Sequence, residues 1–301
     1  MQDVIFMRQT FLNIDPKYND PQTAKFFILP VPYEGTVSFM KGTVNGPAAI
    51  LAVSDQIEHL DEELLLEYYK AGIVTLDPLP IGETPEQEME LVYHATRSLF
   101  KPGKFPIILG GEHSITSPIV RAAAEVYPGL SVLQFDAHAD LRNTYTGTKY
   151  SHGSAMRRVL EITPNLVQVG IRSFSAEEWA DCPNQIDHLI RVSTLETEEG
   201  FRWAMAKILD RLTKHVYITF DIDGLDPAFA PATGTPEPGG LTWWMATRII
   251  EEVSLAKNVI GADVVEVAPF QNGNVITEFL AARLVGKIMA YNCRGNLLEF
   301  R

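Results

Sequence analysis

Short apolar runs alternate with helical patterns along this chain. Runs rich in β-branched and aromatic residues are typical of buried strands, and apolar residues spaced three and four apart indicate helices. Helical patterns occur at about 48–51, 84–100, 117–126, 175–180, 198–212, 242–256 and 277–291. Eight strands are predicted, at 24–31, 72–77, 105–109, 130–135, 166–170, 188–192, 216–220 and 259–267. The alternation predicts an α/β fold in which helices cover both faces of a mostly parallel, eight-stranded sheet.

The helix predicted at 84–100 carries a start signal. Thr84 is a candidate N-cap residue and Pro85 suits the first helical position, where its missing N–H does no harm. Gln87, three residues after Thr84, would complete a capping box.

The strand predicted at 130–135 leads directly into three candidate metal ligands, Asp136, His138 and Asp140. Side chains two residues apart on a strand point the same way, but Asp140 would lie roughly 13 Å from Asp136 in a chain that stays extended at about 3.3 Å per residue. We therefore expect the chain to curl after His138 if all three side chains share one site.

Two further strands end in the same kinds of residue. The run 216–220 is followed by Asp221 and Asp223, and the run 106–109 breaks at a glycine pair shortly before His113. Ligands of open α/β sheets bind beyond the carboxyl ends of the strands. The three strand ends are therefore predicted to meet in one cleft.

The predicted ligand set favours a particular kind of metal site. Four aspartates and two histidines offer oxygen and nitrogen donors without sulfur, which disfavours a structural zinc site and suits manganese or a similar divalent ion. Two divalent cations would balance the four negative charges. Any one of these aspartates is more readily explained as a turn residue in solvent, but unpaired charges at the ends of several apolar strands would be costly. Together they predict a two-metal site.

Composition and charge narrow the functions open to the chain. Its 301 residues are 46% hydrophobic and 21% charged, and no linker divides them. One domain covering residues 1–301 is expected, although two domains stay open on length alone. Two cysteines are too few for a disulfide scaffold. The net charge of −13 disfavours nonspecific nucleic-acid binding and mildly favours cationic ligands.

The sequence also lacks the pattern of a membrane or export segment. No run of about 18 apolar residues is present. Residues 1–8 are too polar for a secretory signal. A cytoplasmic protein without a membrane partner is expected.

Three motifs stand in order along the chain: Gly-Gly-Glu-His-Ser at 110–114, Asp-Ala-His-Ala-Asp at 136–140 and Asp-Ile-Asp-Gly-Leu-Asp-Pro at 221–227. They resemble the signatures of the ureohydrolase superfamily, which includes arginases and agmatinases. The likeness extends from 31–36 through 234–240 to 263–269, so it covers nearly the whole chain, and it is greatest to the agmatinases. Three ordered motifs are specific for the superfamily and much less specific for the substrate.

The resemblance implies a three-layer α/β/α arginase-like fold with two Mn²⁺ ions, for which Co²⁺ or Ni²⁺ is an alternative. The bound ions would lower the pKa of a shared water molecule. Asp140 would then pass a proton to the leaving nitrogen, giving urea and an amine. The implied ligands are His113 and Asp140 for one ion, His138 and Asp223 for the other, and Asp136 and Asp221 as bridging carboxylates.

Two further residues are implied to act on the substrate. Glu266 lies in the apolar strand predicted at 259–267, and in the resembling enzymes the glutamate of this motif pairs with the substrate guanidinium. A structural ion pair is the alternative for Glu266. His152 follows a loop rich in Thr, Gly and Tyr, where the family has a proton-shuttle histidine. A solvent-exposed loop histidine is the alternative for His152.

The loop after Asp140 favours agmatine as the substrate, giving putrescine and urea and a place in polyamine biosynthesis. Arg142 stands where arginases have an asparagine that helps to recognise the amino acid end of arginine, and agmatine lacks that carboxylate. Val44 and Leu51 stand where many relatives have arginine. Guanidinobutyrase, aminopropylagmatine hydrolase, guanidine hydrolase and arginase activities therefore stay open.

Functions outside the ureohydrolases are also open. A formimidoyl or acyl-amine hydrolase would use a related fold, but deacetylase-like sites hold one zinc ion and fewer carboxylates. A noncatalytic relative is disfavoured because all six candidate ligands are intact. The resemblance further implies a small cationic guanidino substrate and a homo-oligomer, commonly a trimer or hexamer.

Overall fold

A parallel sheet of seven strands forms the centre of the structure, a computed structural model that describes residues 10–294. Residues 1–8, the segment judged too polar for a secretory signal, lie outside the described residues. The strands lie side by side in the order 2-1-3-7-6-4-5, and every neighbouring pair is parallel. Their bounds are β1 Phe26–Val31, β2 Ile73–Thr75, β3 Phe105–Gly110, β4 Ser131–Phe135, β5 Leu166–Val169, β6 His215–Asp221 and β7 Asn258–Val265.

Ten α-helices accompany these strands within the described part of the chain. No helix among residues 10–294 is long and apolar enough to cross a bilayer. The helices are α1 Gly46–Ser54, α2 Pro85–Arg97, α3 Thr116–Val126, α4 Ala155–Leu160, α5 Ala176–Asp181, α6 Pro183–Ile186, α7 Val192–Leu195, α8 Glu198–Arg211, α9 Trp243–Ala256 and α10 Ile276–Cys293. Single 3₁₀ turns lie at Phe11–Asn13, Pro16–Tyr18, Thr43–Asn45, Tyr68–Ala71, His113–Ile115, His152–Ser154 and Ile222–Gly224.

Helices pack against both faces of the sheet. On β1, Phe26 and Ile28 enter one hydrophobic cluster, and Leu29 and Val31 enter the other. The first cluster includes side chains of α1, α8, α9 and α10, and the second includes side chains of α2, α3 and α4. Because both faces are buried, the strands are almost continuously apolar in sequence. The predicted three-layer α/β fold is confirmed.

The start of α2 agrees with the sequence only in part. Thr84 is the N-cap residue, and its hydroxyl accepts the N–H of Gln87 at 3.3 Å. Oε1 of Gln87 accepts the N–H of Glu83 at 3.1 Å, so the predicted capping box does not close on Thr84. A reciprocal capping box forms instead at α5, between Ser175 and Glu178.

The strand predicted at 188–192 is wrong, and the sheet has seven strands rather than eight. Only Ile190 reaches β5, through a parallel bridge to Val169. The N–H of Ile190 donates to Gln168 at 3.0 Å, its carbonyl accepts from Gly170 at 2.9 Å, and α7 begins two residues later. Ile190 is the buried side chain of the run 188–190, so a longer strand would have little to pack against.

The strand order brings four functional strand ends together. β3, β7, β6 and β4 are consecutive neighbours in the middle of the sheet. His113 follows β3, Asp136 follows β4, Asp221 ends β6 and Glu266 follows β7. Because the strands are parallel, these residues share the carboxyl edge of the sheet.

Candidate metal centre

The first group of candidate ligands surrounds the imidazole of His113. Its Nδ1 atom lies 3.0 Å from Oδ2 of Asp136, 3.0 Å from Oδ2 of Asp140 and 3.4 Å from Oδ2 of Asp221. All four side chains are buried, and His113 is 1% exposed. The residues come from three strand ends, as the sequence predicts.

The second group surrounds His138. Its Nδ1 atom lies 3.0 Å from Oδ2 of Asp223 and 3.6 Å from Oδ1 of Asp136. Asp136 therefore belongs to both groups, because its two oxygens face the two histidines. His113, Asp136 and Asp140 form one set of ligand atoms close enough to hold an ion, and Asp136, His138 and Asp223 form another. The structure thus brings all six predicted ligand residues into one site.

The backbone curls where the sequence requires it. Asp140 has φ 53°, in the left-handed region that non-glycine residues rarely adopt. This conformation turns the carboxylate back towards His113 instead of carrying it along an extended chain. Glu266 has φ 63° in the same region. Such backbone outliers concentrate at functional sites, where the surrounding structure holds them in place.

The ring nitrogens of His113 provide a test of whether the site suits a cation. Nε2 lies 2.8 Å from the hydroxyl of Thr219, and that hydroxyl donates to Oδ1 of Asp263 at 2.6 Å. With its only proton committed to Asp263, the Thr219 hydroxyl accepts from Nε2–H. Metal-binding histidines are commonly oriented through such a bond from the second nitrogen.

The other nitrogen of His113 is left facing oxygen atoms. Nδ1 is buried and makes no hydrogen bond of good geometry within residues 10–294, although three carboxylate oxygens lie within 3.4 Å. A neutral ring would turn a lone pair towards these negatively charged oxygens, so either a proton on Nδ1 or a bound cation must lie between them, and the pKa of His113 is accordingly raised well above its ordinary value. The donor set therefore fits a divalent metal ion.

The positive charge near the carboxylates of this site is too small to compensate their negative charge. Burial, followed by the negative charge of Asp136, raises the pKa of Asp140 to about 7. Burial and the charges of Asp223 and Asp136 raise the pKa of Asp221 well above its ordinary value. A cation bound among these groups would favour their ionised forms.

Backbone and amide donors fix the orientation of the candidate ligands. Gln134 donates from Nε2 to Oδ2 of Asp136 at 2.6 Å, and the N–H of His138 donates to Oδ1 of Asp136 at 2.6 Å. Oδ1 of Asp223 accepts the N–H of Ala137 at 3.0 Å. These bonds hold the carboxylates in place without neutralising them.

The carboxylate of Glu266 lies beside the first group of candidate ligands. Its Oε1 accepts the N–H of His113 at 2.7 Å, the side chain is 6% exposed, and no salt bridge to it forms among residues 10–294. The structural ion pair is therefore not observed there. Glu266 follows the last residue of β7 instead of lying within the strand, which corrects the predicted strand end. Burial raises the pKa of this carboxylate well above its ordinary value.

His152 lies in the same cleft, which has a volume of about 240 Å³ and is also lined by His113, His138 and Glu266. The imidazole is half-buried, so the solvent-exposed alternative is wrong. Burial, followed by the positive charges of protonated His113 and His138, lowers the pKa of His152 to about 4. The ring is therefore neutral at pH 7.

Other residues of the cleft were given no position in the site by the sequence. The guanidinium of Arg142 lies 4.8 Å from the ring centroid of Tyr145, and both residues line the cleft with Phe174 and Thr235. They belong to loops without periodicity, so no hydrophobic pattern marks them, and only the family resemblance singled out Arg142. Asp263 could have been identified from the sequence, because it is a carboxylate inside the apolar run of β7. Glu266 was singled out on the same ground.

A family sequence model, described as the arginase family, matches residues 24–291 of this chain. The chain belongs to the arginase family. A Synechocystis protein named N(1)-aminopropylagmatine ureohydrolase is 36% identical to this arginase-family chain over 281 residues, covering 89% of each. A Bacillus subtilis protein named agmatinase is 33% identical over 297 residues, covering 95% of this chain and 97% of its own.

A solved structure supports the same assignment. The agmatine ureohydrolase of Thermoplasma volcanium superposes with a TM-score of 0.86 at 31% identity, covering 97% of each chain. The arginase-like fold implied by the sequence motifs is confirmed. This arginase-family chain is an enzyme of the hydrolase class, as its relatives are.

Proposed function

We propose that this enzyme hydrolyses the guanidino group of agmatine to give urea and putrescine, with two Mn²⁺ ions as cofactors. The observation that carries the proposal is the pair of histidine–aspartate groups joined by Asp136, next to the buried carboxylate of Glu266. Paired divalent ions suit the hydrolysis of an unreactive carbon, and a buried carboxylate suits a planar cation.

The six side chains would share two metal ions. His113 and Asp140 would bind one ion, and His138 and Asp223 the other, while Asp136 and Asp221 would bridge them. Bound ions would supply hydroxide at neutral pH by lowering the pKa of a coordinated water molecule. Manganese suits this set of oxygen and nitrogen donors, and Co²⁺ or Ni²⁺ is the alternative.

The side chains around the ions would carry out the remaining steps. Glu266 would bind and orient the substrate guanidinium through paired N–H donors. Asp140 would accept a proton and pass it to the leaving nitrogen. His152, neutral at pH 7, would carry protons between the cleft and solvent.

Agmatine is the proposed substrate, and N(1)-aminopropylagmatine is the second candidate. Both carry the same guanidinobutyl unit and are cationic, as the net charge of −13 favours. Two kinds of relative support them, since three proteins at 36% identity are named for aminopropylagmatine and four at 33–34% are named agmatinase. A single domain over residues 1–301, a trimer or hexamer and a cytoplasmic location stay predictions.

A urea-release panel tests this function. The protein would be stripped of metal, reloaded with Mn²⁺ and given agmatine, N(1)-aminopropylagmatine, arginine, 4-guanidinobutyrate or guanidine. Agmatine or its aminopropyl derivative is expected to react fastest, and chelation should abolish the activity. If arginine reacted faster, the substrate proposal would be wrong and the metal proposal would stand. If no compound released urea, the hydrolase proposal would be wrong.

A further inference from the structure

His152 is tethered through a threonine to a buried carboxylate. Glu112 is fully buried, and its Oε2 accepts the N–H groups of Gly35 at 2.8 Å and Thr36 at 2.6 Å. Its Oε1 accepts the hydroxyls of Thr36 at 2.7 Å and Ser114 at 2.6 Å. Burial raises the pKa of Glu112, and these four donors oppose that shift by favouring the ionised form. They also hold the loop around Thr36 rigidly.

The Thr36 hydroxyl meets His152 at two points. It accepts the backbone N–H of His152 at 3.1 Å, and it lies 3.2 Å from Nδ1 of the same residue. On the opposite side of the ring, Nε2 lies 3.2 Å from the hydroxyl of Ser38, which lines the cleft. The edge of the Tyr145 ring packs against the imidazole with the centroids 5.6 Å apart. The ring is therefore held on three sides.

Counting protons on Thr36 assigns the tautomer of His152. A hydroxyl has one proton and two acceptor positions. The proton goes to the Glu112 carboxylate, and one acceptor position takes the backbone N–H of His152. The remaining acceptor position faces Nδ1 at 3.2 Å, closer than the hydroxyl of Ser151 at 3.4 Å, which assigns the hydrogen to Nδ1. In the neutral ring, Nε2 is then the free acceptor and faces the cleft.

We propose that Thr36 is a positioning residue that fixes His152 in the Nδ1–H tautomer, leaving Nε2 free to accept a proton from the cleft. The consequence for catalysis rests on the proposed function, in which His152 carries protons during urea release. The tautomer itself does not depend on that function. Its measurement therefore tests the inference separately.

Two variants at position 36 give a matched pair. Thr36→Val replaces the hydroxyl with a methyl group of similar shape and keeps the backbone N–H that Glu112 accepts. Thr36→Ser keeps the hydroxyl and loses only a methyl group. Ser38→Ala removes the partner at the other nitrogen and should leave the tautomer unchanged.

The direct readout is ¹⁵N NMR of histidine-labelled protein at pH 7. Spectra would be recorded metal-free and with Zn²⁺ as a diamagnetic replacement for Mn²⁺, and His152 would be assigned from its absence in His152→Asn. The wild type and Thr36→Ser should show Nδ1–H, whereas Thr36→Val should shift most of the population to Nε2–H. A wild-type ring protonated at Nε2, or an unchanged tautomer in Thr36→Val, would overturn the inference.

Kinetics of the Mn²⁺-loaded enzyme give a second readout. Thr36→Val should lower kcat about tenfold, part of what a positioned proton carrier contributes, with KM and metal content unchanged. Thr36→Ser should recover kcat to within about twofold. A wild type that releases no urea would contradict the proposed function, yet the NMR result would still decide the tautomer. An equal loss of kcat in both variants would contradict the role of the hydroxyl.

Discussion

Two histidines of this site are held by the same device in different surroundings. His113 faces the hydroxyl of Thr219, whose proton goes to Asp263. His152 faces the hydroxyl of Thr36, whose proton goes to Glu112. In each case the threonine hydroxyl donates its proton to a buried carboxylate, and its oxygen then accepts a hydrogen bond from one ring nitrogen of the histidine.

The two histidines differ in what the second nitrogen meets. Nδ1 of His113 faces three carboxylate oxygens at the edge of the sheet, whereas Nε2 of His152 faces a serine hydroxyl in the cleft. Burial alone would lower the pKa of His113, but its interactions with Asp136, Asp140 and Asp221 raise it well above the ordinary value. The same tether therefore prepares one ring for a metal ion and the other for a proton.

The largest effect is expected at the carboxylate shared by the two histidine–aspartate groups. Asp136→Asn should bind fewer than two ions per chain and lose urea release by about 10³-fold or more, because both ions would use this carboxylate. Elemental analysis after dialysis and a urea assay measure the two effects. Asp187→Asn, on an exposed aspartate, is the matched control. Two retained ions in Asp136→Asn would contradict the sharing.

A change at Glu266 should separate substrate binding from metal binding. Glu266→Gln removes the negative charge and keeps the shape, so kcat/KM for agmatine should fall by about 10²-fold, the loss expected for an unpaired cationic substrate. Metal content should stay at the wild-type value. Loss of both ions in Glu266→Gln would show that this carboxylate is a ligand instead.

Removing the tether of His113 should weaken metal binding without touching a ligand. Thr219→Val leaves Nε2 without its acceptor, and metal affinity should fall by about 10–100-fold, as is usual for partners of this kind. Titration with Mn²⁺ in competition with a chelator measures this. Thr219→Ser keeps the hydroxyl and should bind as the wild type does. An equal affinity in Thr219→Val would contradict the tether.

The smallest expected effect is the pH response of His152. Its pKa is lowered by burial to about 4 from an ordinary value near 6.5, so the folded ring stays neutral while the unfolded chain takes up a proton. The contribution of His152 to stability is therefore complete above pH 6.5 and is lost as the pH falls towards 4. An NMR titration of the ring checks this, and a midpoint near 6.5 would contradict it.

The part of the site at the edge of the sheet, around His113, could be predicted from the sequence. The candidate ligands each follow an apolar run, and strand periodicity places such residues at one edge of a parallel sheet. The distance argument required only that the chain curl after His138, and the left-handed φ of 53° at Asp140 is how the structure does so. The strand prediction from periodicity was wrong at 188–192. That run has three apolar residues, and the sequence does not show that Ile190 is the buried one.

The part of the site that the loops form, around His152, could not be predicted in the same way. Thr36 and His152 are 116 residues apart and meet through loops that have no repeating pattern. Arg142 was identified only by comparison with a family pattern, and its contact with Tyr145 depends on how the loop folds. Contacts of this kind follow from tertiary structure, so they require coordinates.

The central claim is that two cations bind between His113 and His138 and share Asp136. Anomalous diffraction at the manganese absorption edge, from crystals soaked in Mn²⁺, tests it most directly. Two separate peaks are expected, one in the group around His113 and one in the group around His138. A single peak, or peaks elsewhere on the molecule, would contradict the account.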